Sequence, residues 1–205
     1  PRILFIWGPS RVLPVEIQSM TITEEKFDEE ARLWKNYYTD YKPLVFFSKN
    51  HKLGFIASNI PRRYANSVYK QGLTVLDSLS ELALQYIAPQ PFYYDTTLSS
   101  YAGLRVEENG HGGVNFCDAQ ALKDATMAHF ILMNWDRGIL FLHLNGAYHS
   151  DNLESINYFL NRENPMLKIV TISTVNQKKV KKLEEEHKGK ANFVIAVPSS
   201  MTKTH

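Results

Sequence analysis

The sequence predicts an α/β protein: a mainly parallel central sheet flanked by helices, with a small helical cap or insertion at 73–116. Three observations lead there. Strand-like runs at 53–58, 139–145, 167–174 and 192–197 alternate with helical patterns, and such alternation favours parallel strands joined by crossover helices. The apolar run Ile139-Leu140-Phe141-Leu142, continued by His143-Leu144, predicts a strand covered on both faces. It leads into Asn145-Gly146-Ala147-Tyr148-His149, and ligand chemistry in open α/β sheets gathers beyond the carboxyl ends of the strands. Asn145, Tyr148 and His149 are therefore the first candidates for a site.

Composition narrows the function classes. At 205 residues, 44% hydrophobic and 21% charged, the chain reads as one globular domain over 1–205 rather than a disordered segment. A formal net charge of +2 supplies no concentrated basic field, so nucleic acid is not expected as a partner. The single cysteine, Cys117, excludes an internal disulfide and a cysteine metal cluster, and reads as a small buried hydrophobe. With 11 Tyr and 11 Phe, the chain has rings enough to line a flat apolar ligand as well as to fill a core. No apolar run is long enough to cross a membrane. The start at Pro1, without a methionine, reads as a processed or trimmed product.

Residues 2–7 predict a short strand ended by Gly8-Pro9, within an atypical or truncated start over 1–20. Thr21 or Thr23 caps a helix to about Tyr37, with Glu24 and Glu25 in the first turn, where the helix dipole favours anions. A second helix runs from Pro43 to about Asn50, and a strand covers 53–58. Asn59-Ile60-Pro61 then leads into a helix opening on Arg62-Arg63-Tyr64 and closed by Gly72. Two arginines in a first turn oppose the dipole, at roughly a few tenths of a kcal/mol, unless a ligand or an acidic neighbour offsets them.

Short helical segments fill 73–87, up to Pro89 and Pro91. The aperiodic stretch 92–116, with Asn109-Gly110-His111-Gly112-Gly113, predicts a functional loop, a lid or a flexible insertion. His111 is a candidate metal ligand, although a histidine among glycines is more often simply solvated. The longest helix starts at Asn115 or Asp118 and ends near Trp135. Gln120, Asp124, Met127 and Ile131 share one stripe of it. Gln120 and Asp124 need partners if buried, or else mark the helix end facing a site. Met127 is core or site support, and His129 points roughly opposite Asp124. Ser150-Asp151 with Glu154 predicts a capped helix to about Asn164, followed by a strand over 167–175. Thr174 with Gln177 predicts the cap of a charged, solvated helix over 178–187, and 192–197 is the last strand.

Three stretches together resemble the ChaN family of haem-binding uptake proteins, grouped with the Tiki, TraB and erythromycin-esterase-like fold. They are 55–66 (Phe-Ile-Ala-Ser-Asn-Ile-Pro-Arg-Arg-Tyr-Ala-Asn), Ala119-Gln120 with 123–129, and 143–151 (His-Leu-Asn-Gly-Ala-Tyr-His-Ser-Asp). Leu33-Trp34-Lys35-Asn36-Tyr37 and the following Thr39-Asp40-Tyr41-Lys42-Pro43-Leu44 are similar to the branch found in Bacteroides-type bacteria. The resemblance implies an exported, iron-regulated protein of haem or iron uptake, in the periplasm or anchored at the outer membrane as a lipoprotein. Membrane association is expected only through a lipid anchor absent from this chain. The resemblance also implies a homodimer that holds haem through tyrosine and histidine at a dimer-forming pocket.

For this chain, the implied candidates for haem or iron binding are Tyr148, His149, Tyr64 and His111, with His149 the metal-binding histidine. Arg62 and Arg63 suit the propionates of haem, since the guanidinium fork matches carboxylates. Asn59, Gln120, Asp124, Met127 and Asn145 are expected to support the site. Members of the fold usually open on a strand carrying Gly-Glu-x-His, whereas this chain has Ile6-Trp7-Gly8-Pro9-Ser10. In enzyme branches of the fold the glutamate and histidines are hydrolytic. The alternative reading is therefore a metal-dependent peptidase or esterase using His149 with Asp124 or a metal.

Overall fold

All strand pairing is parallel among the residues described by the computed structural model, which are 2–5, 23–30, 33, 35–105 and 112–204. Strand β1 (Arg2–Phe5) lies between β2 (Gly54–Ala57) and β3 (Phe141–Leu144). Phe5 is in register with both Ala57 and Leu144, so β2 and β3 end together at one edge. Strands β4 (Ile172–Gln177) and β5 (Phe193–Pro198) form a second ladder. The α/β architecture with parallel pairing is the one the sequence predicts, distributed here over two ladders.

The helices are α1 (Glu24–Glu30), α2 (Lys42–Asn50), α3 (Arg62–Gln71), α4 (Glu81–Leu84), α5 (Ser99–Ala102), α6 (Val114–Asn134) and α7 (Ile156–Glu163). The central one is α6. Its Ala119 and Leu122 pack with Ala65 and Val68 of α3 and with Leu76 and Ile87 of the following turns. Its Ala121, Ala125 and Ala128 pack with Tyr101 and with Ile156, Phe159 and Leu160 of α7, the small side chains leaving room for the two rings. A third cluster sets Phe27, Tyr37 and Val45 against Phe55 and Ala57 of β2. Gly72 ends α3 at φ +81°, a left-handed value that suits glycine, with its N–H on the Val68 carbonyl.

Several sequence expectations change. Strand β3 is not covered on both faces, since its Leu142 is 45% exposed, and among the described residues it lies at the edge of its sheet. Thr23 does cap α1, accepting the Lys26 N–H at 3.3 Å, but the described helix ends at Glu30 and a separate π-helical turn (Tyr37–Tyr41) precedes α2. Ser150-Asp151 does not cap α7. The Glu154 carboxylate instead accepts from the backbone N–H groups of Ser99 and Ser100, and the chain passes through left-handed Asn152, Leu153 and Ser155 before the helix begins. The predicted helix over 178–187 is absent except for one turn, Glu185–His187. Buried Gln177 takes its backbone groups, donating to the carbonyls of Lys179 and Lys182 at 2.5 and 2.7 Å and accepting from Glu184 N–H at 3.2 Å. His111 lies outside the described residues, as does the start of the chain apart from β1.

Leu122→Ala in the fully buried face of α6 is expected to lower unfolding free energy by about 2–5 kcal/mol. Gln177→Ala, which strands backbone groups that the amide now satisfies, is expected to lower it by about 1–3 kcal/mol. Urea denaturation measures both, and an unchanged midpoint for Gln177→Ala would contradict the role given to that side chain.

Candidate functional site

The chain leaves β3 at the shared carboxyl edge and enters a single 3-10 turn, Ala147–His149. That turn brings His149 onto α6, where its Nδ1–H donates to Asp124 Oδ1 at 2.6 Å. Asp124 is 2% exposed, and its second oxygen accepts from the hydroxyl of fully buried Tyr101 at 2.8 Å. Burial pushes the Asp124 carboxyl pKa up, while the hydrogen bond and charge of His149, then Tyr101 and Lys123, oppose that rise. Burial and the facing carboxylate together push Tyr101 well above the usual phenol range, so its hydroxyl stays a donor. With Nδ1 committed to Asp124, the Nε2 lone pair is the open coordination position of His149, and 18% of the side chain remains exposed. A carboxylate holding one imidazole nitrogen is the arrangement that orients metal-ligating histidines.

Beside this pair lies a second histidine that pattern reading passed over. His143 in β3 has Nδ1 3.1 Å from Asn145 Oδ1 and Nε2 3.2 Å from Ser58 Oγ. The Asn145 amide donates to Gly146 O at 2.8 Å and to Ser150 Oγ at 2.9 Å, which fixes its oxygen toward His143. It follows that His143 donates through Nδ1 and accepts the Ser58 hydroxyl proton at Nε2. Burial, aided by the nearby His149 and opposed by the Asn145 hydrogen bond, lowers its pKa to about 4. The Ser58–His143–Asn145 series has the connectivity of a nucleophile relay, yet Ser58 has no exposed surface, so it ties β2 to β3 rather than meeting a substrate.

Of the predicted residues, Asp124, His149 and Asn145 come together here. Tyr148 is adjacent and 48% exposed, with its hydroxyl donating to the Ser100 carbonyl at 3.0 Å. Burial, with Cys117 and Asp124, raises its pKa. Arg62 and Arg63 stand exposed in the first turn of α3, and the Arg63 guanidinium lies 4.6 Å from the Tyr64 ring centre while donating to its hydroxyl at 3.1 Å. Lys123 links the two groups: burial lowers its pKa, Asp124 opposes this and Arg62 reinforces it. Gln120 accepts from Lys123 Nζ at 2.7 Å and does not reach Asp124 or His149. Met127 is fully buried core, in the cluster that α6 shares with Ile156, Phe159 and Leu160 of α7. Asn59 bonds only locally, accepting from Ile60 N–H at 2.8 Å.

Tyr101 was beyond pattern reading, since the aperiodic 92–116 stretch gives no spacing that relates it to α6. His143 did carry a signal, as the one polar residue inside an apolar run. Two cavities, of about 250 Å³ beside Phe92, His129 and Arg162 and about 720 Å³ beside Leu73, Phe92 and Tyr94, are not lined by His149 or Tyr148.

A family model described as haem-binding uptake, Tiki superfamily, ChaN matches residues 12–160. The chain belongs to the ChaN family. No curated protein matches it. Among solved structures it is similar to one titled "Cofacial heme binding to ChaN of Campylobacter jejuni", at 18% identity and a TM-score of 0.60, over 94% of this chain and 72% of that one. That likeness supports the same α/β fold. Within the matched segment lie Ser58, Arg62, Tyr101, Asp124, His143 and His149, so the whole hydrogen-bonded group falls in the part of the chain that defines the family.

The low pKa of His143 has a consequence for stability. Between pH 4 and 6.5 the unfolded chain binds more protons at this residue than the folded one, so stability rises with pH across that window and is lost as pH falls through it. His143→Gln is expected to flatten that part of the stability–pH curve, read by urea denaturation at several pH values. An unchanged slope would show that His143 is not the group responsible.

Proposed function

We propose that this ChaN-family chain binds haem for iron uptake outside the cytoplasm, with His149 Nε2 as an iron ligand. The supporting observation is the 2.6 Å bond from His149 Nδ1 to buried Asp124, which engages that nitrogen and leaves Nε2 as the one available to a ligand. The residues around it suit haem as cargo. Half-exposed Tyr148 offers a ring against a flat macrocycle, and its hydroxyl becomes an iron ligand only by giving up both the Ser100 hydrogen bond and its proton. Arg62 and Arg63 supply exposed guanidinium groups for the two propionates, in the helix turn where anions are already favoured. Tyr64, whose hydroxyl accepts from Arg63, adds a ring beside them. A second copy of the chain, completing the haem pocket, is part of the proposal on the strength of the family resemblance. Export and lipid anchoring complete it on the strength of the family resemblance.

A second reading rests on the same bond. A histidine oriented by a buried carboxylate is also the base half of hydrolytic machinery, alone or with a metal-bound water. The two readings separate in the assay tube.

Titration of the protein with ferric haem is expected to give a saturable Soret shift, lost or altered in His149→Ala. Asp124→Asn, which disturbs the supporting bond and leaves Nε2 in place, is expected to weaken binding about 10–100-fold. Absence of a saturable shift at micromolar haem would overturn the proposal. Peptidase or esterase activity that disappears in His149→Ala would favour the hydrolytic reading.

A further inference from the structure

We propose a divalent transition-metal site formed by Glu184, Glu186 and His187, in the connection between β4 and β5. One ligand atom from each residue lies within 4.8 Å of the others. His187 is only 8% exposed, and neither of its ring nitrogens has a hydrogen-bond partner. Buried polar atoms are nearly always partnered, so an imidazole in this state, with Nε2 3.7 Å from Glu186 Oε1, is a donor facing a place for a ligand.

The backbone is already organised for it. Glu184 N–H is held by the Gln177 side chain on β4, and His187 N–H closes the turn on the Glu184 carbonyl at 3.1 Å. Glu185 points elsewhere, to Lys188 Nζ at 2.5 Å, while Lys190 lies 4.0 Å from Asp151. Lys188 and Lys190 are thus directed to other carboxylates. Glu184 and Glu186 are exposed, and modest side-chain rotation brings their oxygens to the roughly 2.0–2.2 Å that a zinc-type ion requires. One imidazole nitrogen with two carboxylates favours zinc, cobalt or nickel over calcium or magnesium, which prefer oxygen-only sets. Three protein donors leave at least one position for water.

The same connection touches the turn after His149, because Asn152 N–H donates to the Lys190 carbonyl at 2.7 Å. A metal held here therefore also fixes the loop that carries Asp151 and Asn152.

Titration of the haem-free full chain with Co²⁺, followed in the visible region and then displaced by Zn²⁺, tests the site. One equivalent of protein-bound cobalt is expected, with binding weakened at least about tenfold in both E184Q/E186Q and H187Q. E184Q/E186Q changes exposed side chains only, and its circular dichroism is expected to match the parent, so the result stands whatever the buried H187Q substitution does to folding. His149→Ala is expected to bind cobalt like the parent, which keeps this outcome independent of the haem reading. No cobalt spectrum, undiminished binding in E184Q/E186Q, or loss of binding in His149→Ala would each overturn the proposal.

Discussion

The arrangement depends on one buried carboxylate. Asp124 sits in the middle of α6 with almost no exposed surface, a position that is strongly unfavourable for a charge without partners. Its two oxygens are met by Tyr101 from the short helix α5 and by His149 out of the turn after β3. Three segments distant in sequence are thereby brought to one point. Removing either partner leaves an uncompensated acceptor, so α5, α6 and the sheet edge are held in mutual register by a polar contact as well as by packing.

Around that point the packing is asymmetric in a useful way. On one flank α6 meets α3 through Leu122 and Val68, and on the other it meets α7 through alanines and Phe159. The helix is therefore fixed against rotation, and Asp124 cannot follow His149 if the turn shifts. His143 adds a second restraint, since its two ring nitrogens join Ser58 beyond β2 to Asn145 beyond β3. Asn145 in turn holds Ser150, on the far side of His149. The result is a hydrogen-bonded base that holds the His149 imidazole in place, which is what a ligand site needs in order to present one geometry to its ligand.

Much of the fold was legible because its signals are local. The apolar runs of β2 and β3, Pro61 before α3, Gly72 after it and the long stripe of α6 each announce an element without tertiary information. Asp124, Asn145 and His149 were legible as candidates because they are polar residues at a strand end or on an apolar stripe. What was not legible depends on contacts between distant segments. Glu154 and Gln177 look like helix-capping residues, and the structure spends both on backbone groups elsewhere. The exposure of Leu142, Phe193 and Ile195 depends on which sheet faces other elements cover, which no run of residues encodes. Tyr101 falls in a stretch without period, and only the fold relates it to Asp124.

The central claim is that Asp124 holds His149 as an Nδ1–H tautomer with Nε2 free for iron. Long-range proton–nitrogen NMR of the ¹⁵N-labelled imidazoles in the haem-free protein, at mildly alkaline pH, tests it most directly. The account predicts a protonated Nδ1 and an unprotonated Nε2 for His149, with that preference lost in Asp124→Asn. A His149 ring protonated at Nε2 and bare at Nδ1 in the parent protein would contradict it.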